Sequence, residues 1–504
     1  MMNITSKKKY LAFDFGASNG RAIVGKYDGA KLELEEISRF DNKPVFVGGT
    51  LYWDVLRLFL ELKVGIAKAK IKYKDISSLG LDTWGCDFGL LAKDKKLLSN
   101  PVHYRDTRTN NISKEVFRLI PKEDIYRRTG AQVLGLGLNT LYQMYSMSLL
   151  GSPILGNAKY FLMMGDLFNF FLTGNIFCEY TNATTTQILD QKNRKWEESI
   201  LKSLSLPKNI FPEIREPGNI VGNLSKSICN ELSCMPIPVA LPAYDTSSEI
   251  TAIPISSKNQ GKKWAYLCCG TWAVVGVITD SPIITKEGFL ARFGNEGGVN
   301  CKSSFLKNIA GLWIIQQCRK KWIQDGKRNL SWDKLIELTN DSIDRNVFID
   351  VDDPSFEKEI FNMPAAIIRY LKKTNQKTPE TIGEFSRSIF ESLVLKYVLN
   401  IKSLEKVIGE KIELLHLVGG GSQNELLCQW ISSATGIPLI AGPAETTTSG
   451  NILLQMLALG DIKTIEEGRE IIINSIKLNY YEPKNSDKWS VKFETYIETQ
   501  RDNN

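Results

Sequence analysis

Histidine is nearly absent from this chain: 504 residues contain two, His103 and His416. His416 stands inside the apolar run Leu-Leu-His416-Leu-Val, the setting of a structural residue. So few histidines argue against Ser-His-Asp hydrolases, Cys-His proteases and His-ligated metal sites. No GxxxxGK[ST] occurs and no GxGxxG opens a strand–helix unit, which removes P-loop and Rossmann nucleotide sites. The nine cysteines are odd in number, irregularly spaced and without a CxxC pair, and they read as reduced thiols of a cytoplasmic protein. Long apolar runs are missing too. Residues 160–172 are interrupted by Asp166 and Asn169, so they read as a buried helix and no membrane partner is expected. Lys7-Lys8-Lys9 leads into a short strand broken by Asp14, which is not a signal peptide. Charge of one sign is scarce: the formal net charge is +7, but lysines and acids interleave along the chain. That pattern reads as solvated surface, and no nucleic-acid partner is expected.

What is present begins at Leu11-Ala-Phe-Asp14-Phe-Gly16-Ala-Ser18-Asn-Gly20-Arg21. An apolar run ends in an aspartate, a small-residue turn follows, and a second apolar run returns, which is a hairpin pattern. Gly16 and Gly20 would let backbone N–H groups approach an anion, and Asp14 would face a hydrated Mg²⁺ beside it. An ordinary structural hairpin fits the same residues. A second strand–turn–strand, Trp264-Ala-Tyr-Leu-Cys-Cys-Gly270-Thr271-Trp272-Ala-Val-Val-Gly276, echoes it, as if the two halves were diverged copies of one unit.

The length predicts two large domains, with a boundary in the polar connector 254–263 and hence domains 1–253 and 254–504. In the first, 10–24 and 32–40 read as antiparallel strands. Asp54 caps a helix with Val55, Leu58, Leu62, Ile66 and Ala69 on one face, and 76–81 is a strand. Strands alternating with helices indicate an α/β fold with a mixed sheet. The run Glu179-Tyr-Thr-Asn-Ala-Thr-Thr-Thr-Gln187 is either a surface loop or the polar wall of a sugar site, and composition favours the loop. Residues 196–204 read as an amphipathic helix. Further on, Ile382, Phe385, Ile389, Leu393, Val394 and Ile401 mark a long helix. The strand 414–418 then runs into Gly419-Gly420-Gly421-Ser422-Gln423-Asn424, where glycines before a helix favour a ligand site over a flexible turn.

With histidine excluded, catalytic bases must be carboxylates. The candidates are Asp82 and Asp87 around Trp84-Gly85, Asp106 in His103-Tyr-Arg-Asp-Thr-Arg108, and Asp245 in Tyr244-Asp245-Thr246. Asp245 falls at a helix start, where it is either a cap or a carboxylate aimed at a substrate hydroxyl.

These pieces, with Asn295-Glu-Gly-Gly298, Leu306-Lys-Asn308-Ile-Ala-Gly-Leu-Trp313 and Val418-Gly-Gly-Gly-Ser-Gln-Asn424, run in order through nearly the whole chain. In that order they resemble the FGGY carbohydrate kinases. The Thr-Asn-Ala-Thr-Thr-Thr-Gln and Tyr-Arg-Asp-Thr-Arg-Thr stretches are similar to the rhamnulokinase branch rather than to glycerol or xylulose kinases. The resemblance implies two actin-like ATPase (ribonuclease H-like) domains with the active site in the interdomain cleft, and ATP and Mg²⁺ as cofactors. It implies that Ala17, Ser18, Asn19, Gly20, Arg21, Thr271, Gln316 and Gly420 line the ATP site. Gly85, Tyr244, Thr246 and Asn308 would line the sugar site, with Asp245 as general base and Asp14 holding Mg²⁺ through water. The implied reaction is phosphorylation of a ketose at a primary hydroxyl, L-rhamnulose first and L-fuculose or another deoxyketose second. Two departures bear on the sugar: Tyr244 stands where the family has histidine, and 133–138 reads Val-Leu-Gly-Leu-Gly-Leu where the family has a shorter loop. A non-catalytic sugar or nucleotide sensor and an actin-like ATPase of chaperone or filament type are the rival classes. The small-molecule ketose and ATP are the expected partners, and the chain is expected to be a monomer or a homodimer.

Overall fold

The computed structural model describes residues 7–259, 261–357 and 361–501. It has a two-domain α/β architecture built on two mixed sheets. Two compact units interleave in sequence: Met1–Lys258, Ile278–Phe305 and Thr446–Ile476 form the first, and Asn259–Val277, Leu306–Glu445 and Lys477–Asn504 the second.

In the first unit, β1 (Lys8–Phe15), β2 (Asn19–Tyr27) and β3 (Leu32–Asp41) form an antiparallel meander. Strand β4 (Ile76–Thr83) pairs parallel with β1 on the other side. Beyond β4 come β5 (Asn219–Asn223) and β6 (Pro238–Leu241), in the sheet order β5-β6-β4-β1-β2-β3. Helix α1 (Val55–Lys72) starts where Asp54 Oδ1 accepts from the Arg57 N–H at 3.2 Å, and it buries Val55, Leu58, Leu62, Ile66 and Ala69 against the sheet. Capping satisfies an N–H that the helix leaves orphaned, and the apolar stripe supplies the burial. Of the buried helix expected between 160 and 172, Tyr160–Met163 is instead a strand and the helix, α2, spans Met164–Thr173, closed by Gly174 at φ +81°.

The loop expected at 179–187 is not one. Residues Tyr180–Thr184 form a short helix, α3, and the whole stretch is buried. Composition misleads here because the polar side chains satisfy backbone and one another. Glu179 Oε1 and Oε2 accept the Thr181 and Asn182 N–H groups, each at 2.7 Å. Hydroxyls of Thr184 and Thr186 donate to carbonyls three residues back. The helix expected at 196–204 is also shorter: Trp196 belongs to a two-residue strand and the helix spans Glu198–Ser203. Helix α4 (Asp245–Thr251) follows β6.

In the second unit, β7 (Trp264–Cys269) and β8 (Trp272–Thr279) form the second hairpin. Strand β9 (Gly294–Gly297) lies in the first unit and leads into β10 (Ser303–Ala310), whose later residues enter the second. Helices α5 (Trp313–Gln324) and α6 (Ile382–Ile408) precede β11 (Leu414–Val418). After β11 come α7 (Glu425–Thr435), β12 (Leu439–Ala441), α8 (Thr446–Ala458) and β13 (Asn479–Tyr481), of which α8 returns to the first unit. The second sheet has seven strands, in the order β9-β10-β8-β7-β11-β12-β13.

Candidate active site

Adjacent parallel strands β1, β4 and β6 point their carboxyl ends the same way, the edge at which α/β sheets present ligand-binding groups. Asp14 and Asp82 are register partners there. After β6, Pro242-Ala243-Tyr244 carries the chain into α4, whose first residue is Asp245. Tyr244 holds the cap position of that helix, so Asp245 is not its cap. Its Oδ1 accepts from the Thr246 N–H at 2.6 Å and from Thr246 Oγ1 at 3.2 Å. Burial raises the Asp245 carboxyl to about 7, with the Asp14 charge adding to the shift. Asp82 is 1 % exposed, and burial, then the charge of Asp14, pushes it well above the usual carboxylate range. Its Oδ2 accepts from Asn451 Nδ2 at 2.6 Å, while Oδ1 has no partner among the described residues. Asp14 Oδ2 is paired with the Arg21 guanidinium at 2.5 Å.

Helix α8 makes this edge possible. Asn451 and Gln455 donate to backbone carbonyls of β1 and β4, and Gly450 lies so close to α4 that a Cβ would sit 1.8 Å from the Ser248 carbonyl oxygen. None of these three residues carries a local sequence signal, because their partners are hundreds of positions away.

Two other carboxylates singled out as candidate bases are structural. Asp87 is buried and accepts from Trp53 Nε1 at 2.6 Å, Trp84 Nε1 at 2.9 Å and Gln143 Nε2 at 2.9 Å, with burial raising it to about 6. Asp106 accepts from the Leu51 and Arg108 N–H groups at 2.7 and 2.9 Å and so shapes its loop. Between Trp84 and Asp87, Gly85 is packed so that a Cβ would lie 3.0 Å from Thr185 Oγ1, and Cys86 adopts φ +71° while its N–H donates to that same hydroxyl at 3.0 Å. The Gly85 turn is therefore seated on the buried polar stretch that follows α3.

The same stretch holds Tyr244 and a residue that the sequence reading quoted only inside a motif, Glu296. The Tyr244 N–H donates to Thr181 Oγ1 at 3.1 Å, and its hydroxyl donates to Glu296 Oε2. Burial raises the Glu296 carboxyl to about 7.

At the first hairpin tip, Ser18 and Asn19 are exposed, Ala17 and Arg21 half-buried, and the turn is closed by the Gly16 N–H donating to the Asn19 carbonyl at 2.9 Å. Gly20 is not part of the tip. It lies within β2, and a Cβ there would meet the Phe40 ring at 2.2 Å, so its smallness serves packing. In the second unit, the Gly270-Thr271 tip receives the Leu312 and Trp313 N–H groups at 2.8 and 3.2 Å. Thr271 Oγ1 donates to Gln316 Oε1 of α5 at 3.2 Å. Strands β7 and β11 are parallel neighbours, which brings Thr271, Gln316 and Gly420 to one end of that sheet. The three glycines there differ in what they do. Gly419 takes φ +80°, Gly421 is pressed against Cys269 with 2.6 Å from a Cβ to Sγ, and Gly420 is exposed with open space around it. Asn308 is half-buried on β10, in the second unit, whereas Gly85, Tyr244, Asp245 and Thr246 belong to the first.

Among the described residues, no group of three or more His, Cys, Asp or Glu side chains is arranged to enclose a metal ion. That donor set still fits Mg²⁺, which takes one or two carboxylates and completes its shell with water and phosphate oxygens. Asp14 and the unpartnered Oδ1 of Asp82 are the side-chain oxygens suited to it. No helix among the described residues is long and apolar enough to cross a membrane.

Comparison with known proteins shows the family. Residues 9–251 match the N-terminal domain, and residues 265–459 the C-terminal domain, of the FGGY family of carbohydrate kinases. A rhamnulokinase of Bacteroides thetaiotaomicron is 36 % identical over 97 % of this chain and 98 % of its own length. One of Halalkalibacterium halodurans is 38 % identical over 94 % of this chain and 98 % of its own. Among solved structures, a gluconate kinase of Lactobacillus acidophilus superposes with a TM-score of 0.81 at 17 % identity, covering 98 % of each chain. A Plasmodium falciparum glycerol kinase with ADP gives a TM-score of 0.76 at 16 % identity, again over 98 % of each chain. At such identities the structures speak to the fold alone.

Proposed function

We propose, for a chain that belongs to the FGGY family of carbohydrate kinases, ATP-dependent phosphorylation of L-rhamnulose at its primary hydroxyl, giving L-rhamnulose 1-phosphate. The observation that carries the reaction type is Asp245. It stands at the carboxyl edge of the sheet, on the first turn of a helix, with a carboxyl raised to about 7, where a general base works best near neutral pH. Asp245 accepts the hydroxyl proton as that oxygen attacks the γ-phosphorus in line. Gly85, Tyr244, Thr246 and Asn308 hold the ketose. Ala17, Ser18, Asn19, Gly20 and Arg21 at the first hairpin, with Thr271, Gln316 and Gly420, hold ATP. Within that set Gly20 acts by packing on Phe40, and Gly420 by the space it leaves. Asp14 and Asp82 hold Mg²⁺, which when bound neutralises charge developing on the phosphates. In this reading the base and the sugar-binding residues other than Asn308 reside on 1–253, Asn308, the second phosphate hairpin and the adenosine side reside on 254–504, and the enzyme works in the cytoplasm.

The choice of ketose rests on the curated relatives, which are rhamnulokinases over nearly the full length. L-fuculose is the second reading, kept open by the two departures from the family pattern, Tyr244 and the glycine-rich 133–138 loop. A coupled ADP-release assay over L-rhamnulose, L-fuculose, L-xylulose and L-ribulose decides between them. L-rhamnulose should give the highest kcat/KM. ADP release that no ketose accelerates would overturn the kinase reading in favour of a sensor or a simple ATPase.

A further inference from the structure

Glu296 is a carboxylate without a cation. Among the described residues no Lys, Arg or His lies within ion-pair distance of it, and its side-chain bond is the one it accepts from the Tyr244 hydroxyl. A half-buried carboxylate kept without a counter-charge is costly unless something else uses it. Its backbone is held with unusual care for a short strand. The Asn295 carbonyl accepts from Gln191 Nε2 at 2.7 Å, and the Asn295 N–H donates to the Gly130 carbonyl at 2.7 Å. The Gly297 N–H donates to Thr184 Oγ1 at 2.9 Å, and the Gly297 carbonyl accepts from Ser247 Oγ at 2.7 Å. The last two bonds tie the strand to α3 and to α4, the helix that begins with Asp245. Gly297 also permits the approach, since a Cβ there would meet the Tyr180 ring at 2.6 Å. Burial chiefly, and then the charges of Asp87, Glu296 and Asp245, push the Cys86 thiol up.

Resting on the ketose-kinase reading above, we infer that Glu296 is a specificity-determining residue that, with the Tyr244 oxygen, receives protons from ketose hydroxyls beyond the carbon being phosphorylated. The chemistry follows from the inventory of lone pairs. Tyr244 gives its only proton to Glu296, so its oxygen faces the site as an acceptor. The carboxylate keeps further acceptor positions after taking that one bond. With Glu296 ionised, this part of the wall accepts and does not donate, and it suits a pair of neighbouring hydroxyls that both donate. A site built to bond a hydroxyl rejects the analogue that lacks it far more strongly than an apolar site rejects an extra methylene. The buried threonine stretch around α3 acts behind the wall: Thr184 fixes the strand that carries Glu296, and Thr181 fixes the backbone of Tyr244.

The test is a Glu296→Gln variant, assayed with a panel of monodeoxy ketoses alongside the parent sugar and with KM for ATP measured in parallel. Glutamine keeps the volume and turns one acceptor into a donor. The expected result is a rise in ketose KM of about tenfold or more, an unchanged KM for ATP, and one deoxy position at which wild type discriminates and the variant does not. Tyr244→Phe should reproduce the altered ranking, and it serves alone if the glutamine variant does not fold. A purely structural Glu296 would instead lower thermal stability and weaken ketose and ATP use together without changing the ranking, which would overturn the inference. If wild type phosphorylates ketoses while both variants keep its KM and ranking, the inference fails and the kinase reading stands. If wild type phosphorylates no ketose, the kinase reading itself fails.

Discussion

Asp245→Asn retains the size of the side chain and removes its capacity to take a proton. The expected result is a fall in kcat on the order of 10²–10⁴-fold with little change in ketose KM. Because burial holds the wild-type carboxyl near 7, the working, ionised form is lost as pH falls below that value. Wild-type kcat/KM should therefore drop about tenfold per pH unit on the acid side and level off above neutrality. The asparagine variant should lack that limb; wild-type-like turnover in it would remove Asp245 from the mechanism. Asp166 obeys a different sign of the same physics. Its carboxyl is buried, raised to about 7 from an ordinary 3.8, and one of its oxygens has no partner among the described residues. Between those two values the folded chain binds a proton that the unfolded chain releases, so this group's contribution to stability falls as pH rises. Asp166→Asn should keep the acceptor for the Glu179 N–H and lose the titration. Its unfolding free energy from urea titration should gain on wild type between pH 5 and 7, by an amount on the order of 1.4 kcal/mol per pH unit. A gap that does not change with pH would show that Asp166 stays ionised.

At the scale of elements, local signals were the legible ones. Asp54 and the stripe from Val55 to Ala69 define α1 without reference to the rest of the chain, and the two hairpins show as apolar runs around small residues. The stretch 179–187 was misread because sequence composition cannot tell polar side chains facing water from polar side chains facing one another. Glu296 was passed over for a similar reason, since its meaning lies in Tyr244, which is 52 positions away. Helix α8 is the strongest case. It packs on β1, β4, β6 and α4, yet nothing in Thr446-Thr-Thr-Ser-Gly450-Asn451 announces it. Gly450→Ala tests its role, because the added methyl would strike the backbone of α4 and shift the helix that begins with Asp245. A displacement near 1 Å at a reacting group lowers rates by up to about 10²-fold, so kcat should fall by about 10–100-fold although residue 450 is not among those assigned to bind ligand. Gly156→Ala, where a Cβ meets nothing within 4 Å, is the control and should be silent. Equal activity of the two variants would mean that α4 is not positioned from behind.

At the scale of the whole molecule, the echo between the hairpins proves deeper than twelve or so residues of similarity suggest. One sheet runs β3-β2-β1-β4-β6-β5 and the other β9-β10-β8-β7-β11-β12-β13, with β9 as an extra strand at its edge. In each, a hairpin is followed by two parallel additions on its far side, β4 and β6 in one, β11 and β12 in the other. The repeat survives in topology because the chain can place its ligand-facing turns at the same strand ends with quite different side chains. The cysteines give a reading of the whole chain at once. Cys301 is exposed, Cys86 and Cys234 are half-buried, and Cys178, Cys229, Cys268, Cys269, Cys318 and Cys428 are buried. Thiolates are the reactive form, and burial raises Cys86, Cys178, Cys318 and Cys428, so these should react slowly even where reagent reaches them. An aromatic disulfide reagent should label Cys301 rapidly, Cys86 and Cys234 slowly, and the other six only on unfolding, as followed by peptide mass mapping. Saturating ketose should slow Cys86 and leave Cys234 unchanged, because Cys86 follows Gly85 in the turn assigned to the sugar while Cys234 lies near the end of the loop before β6. Protection of both, or of neither, would separate the Gly85 turn from sugar binding.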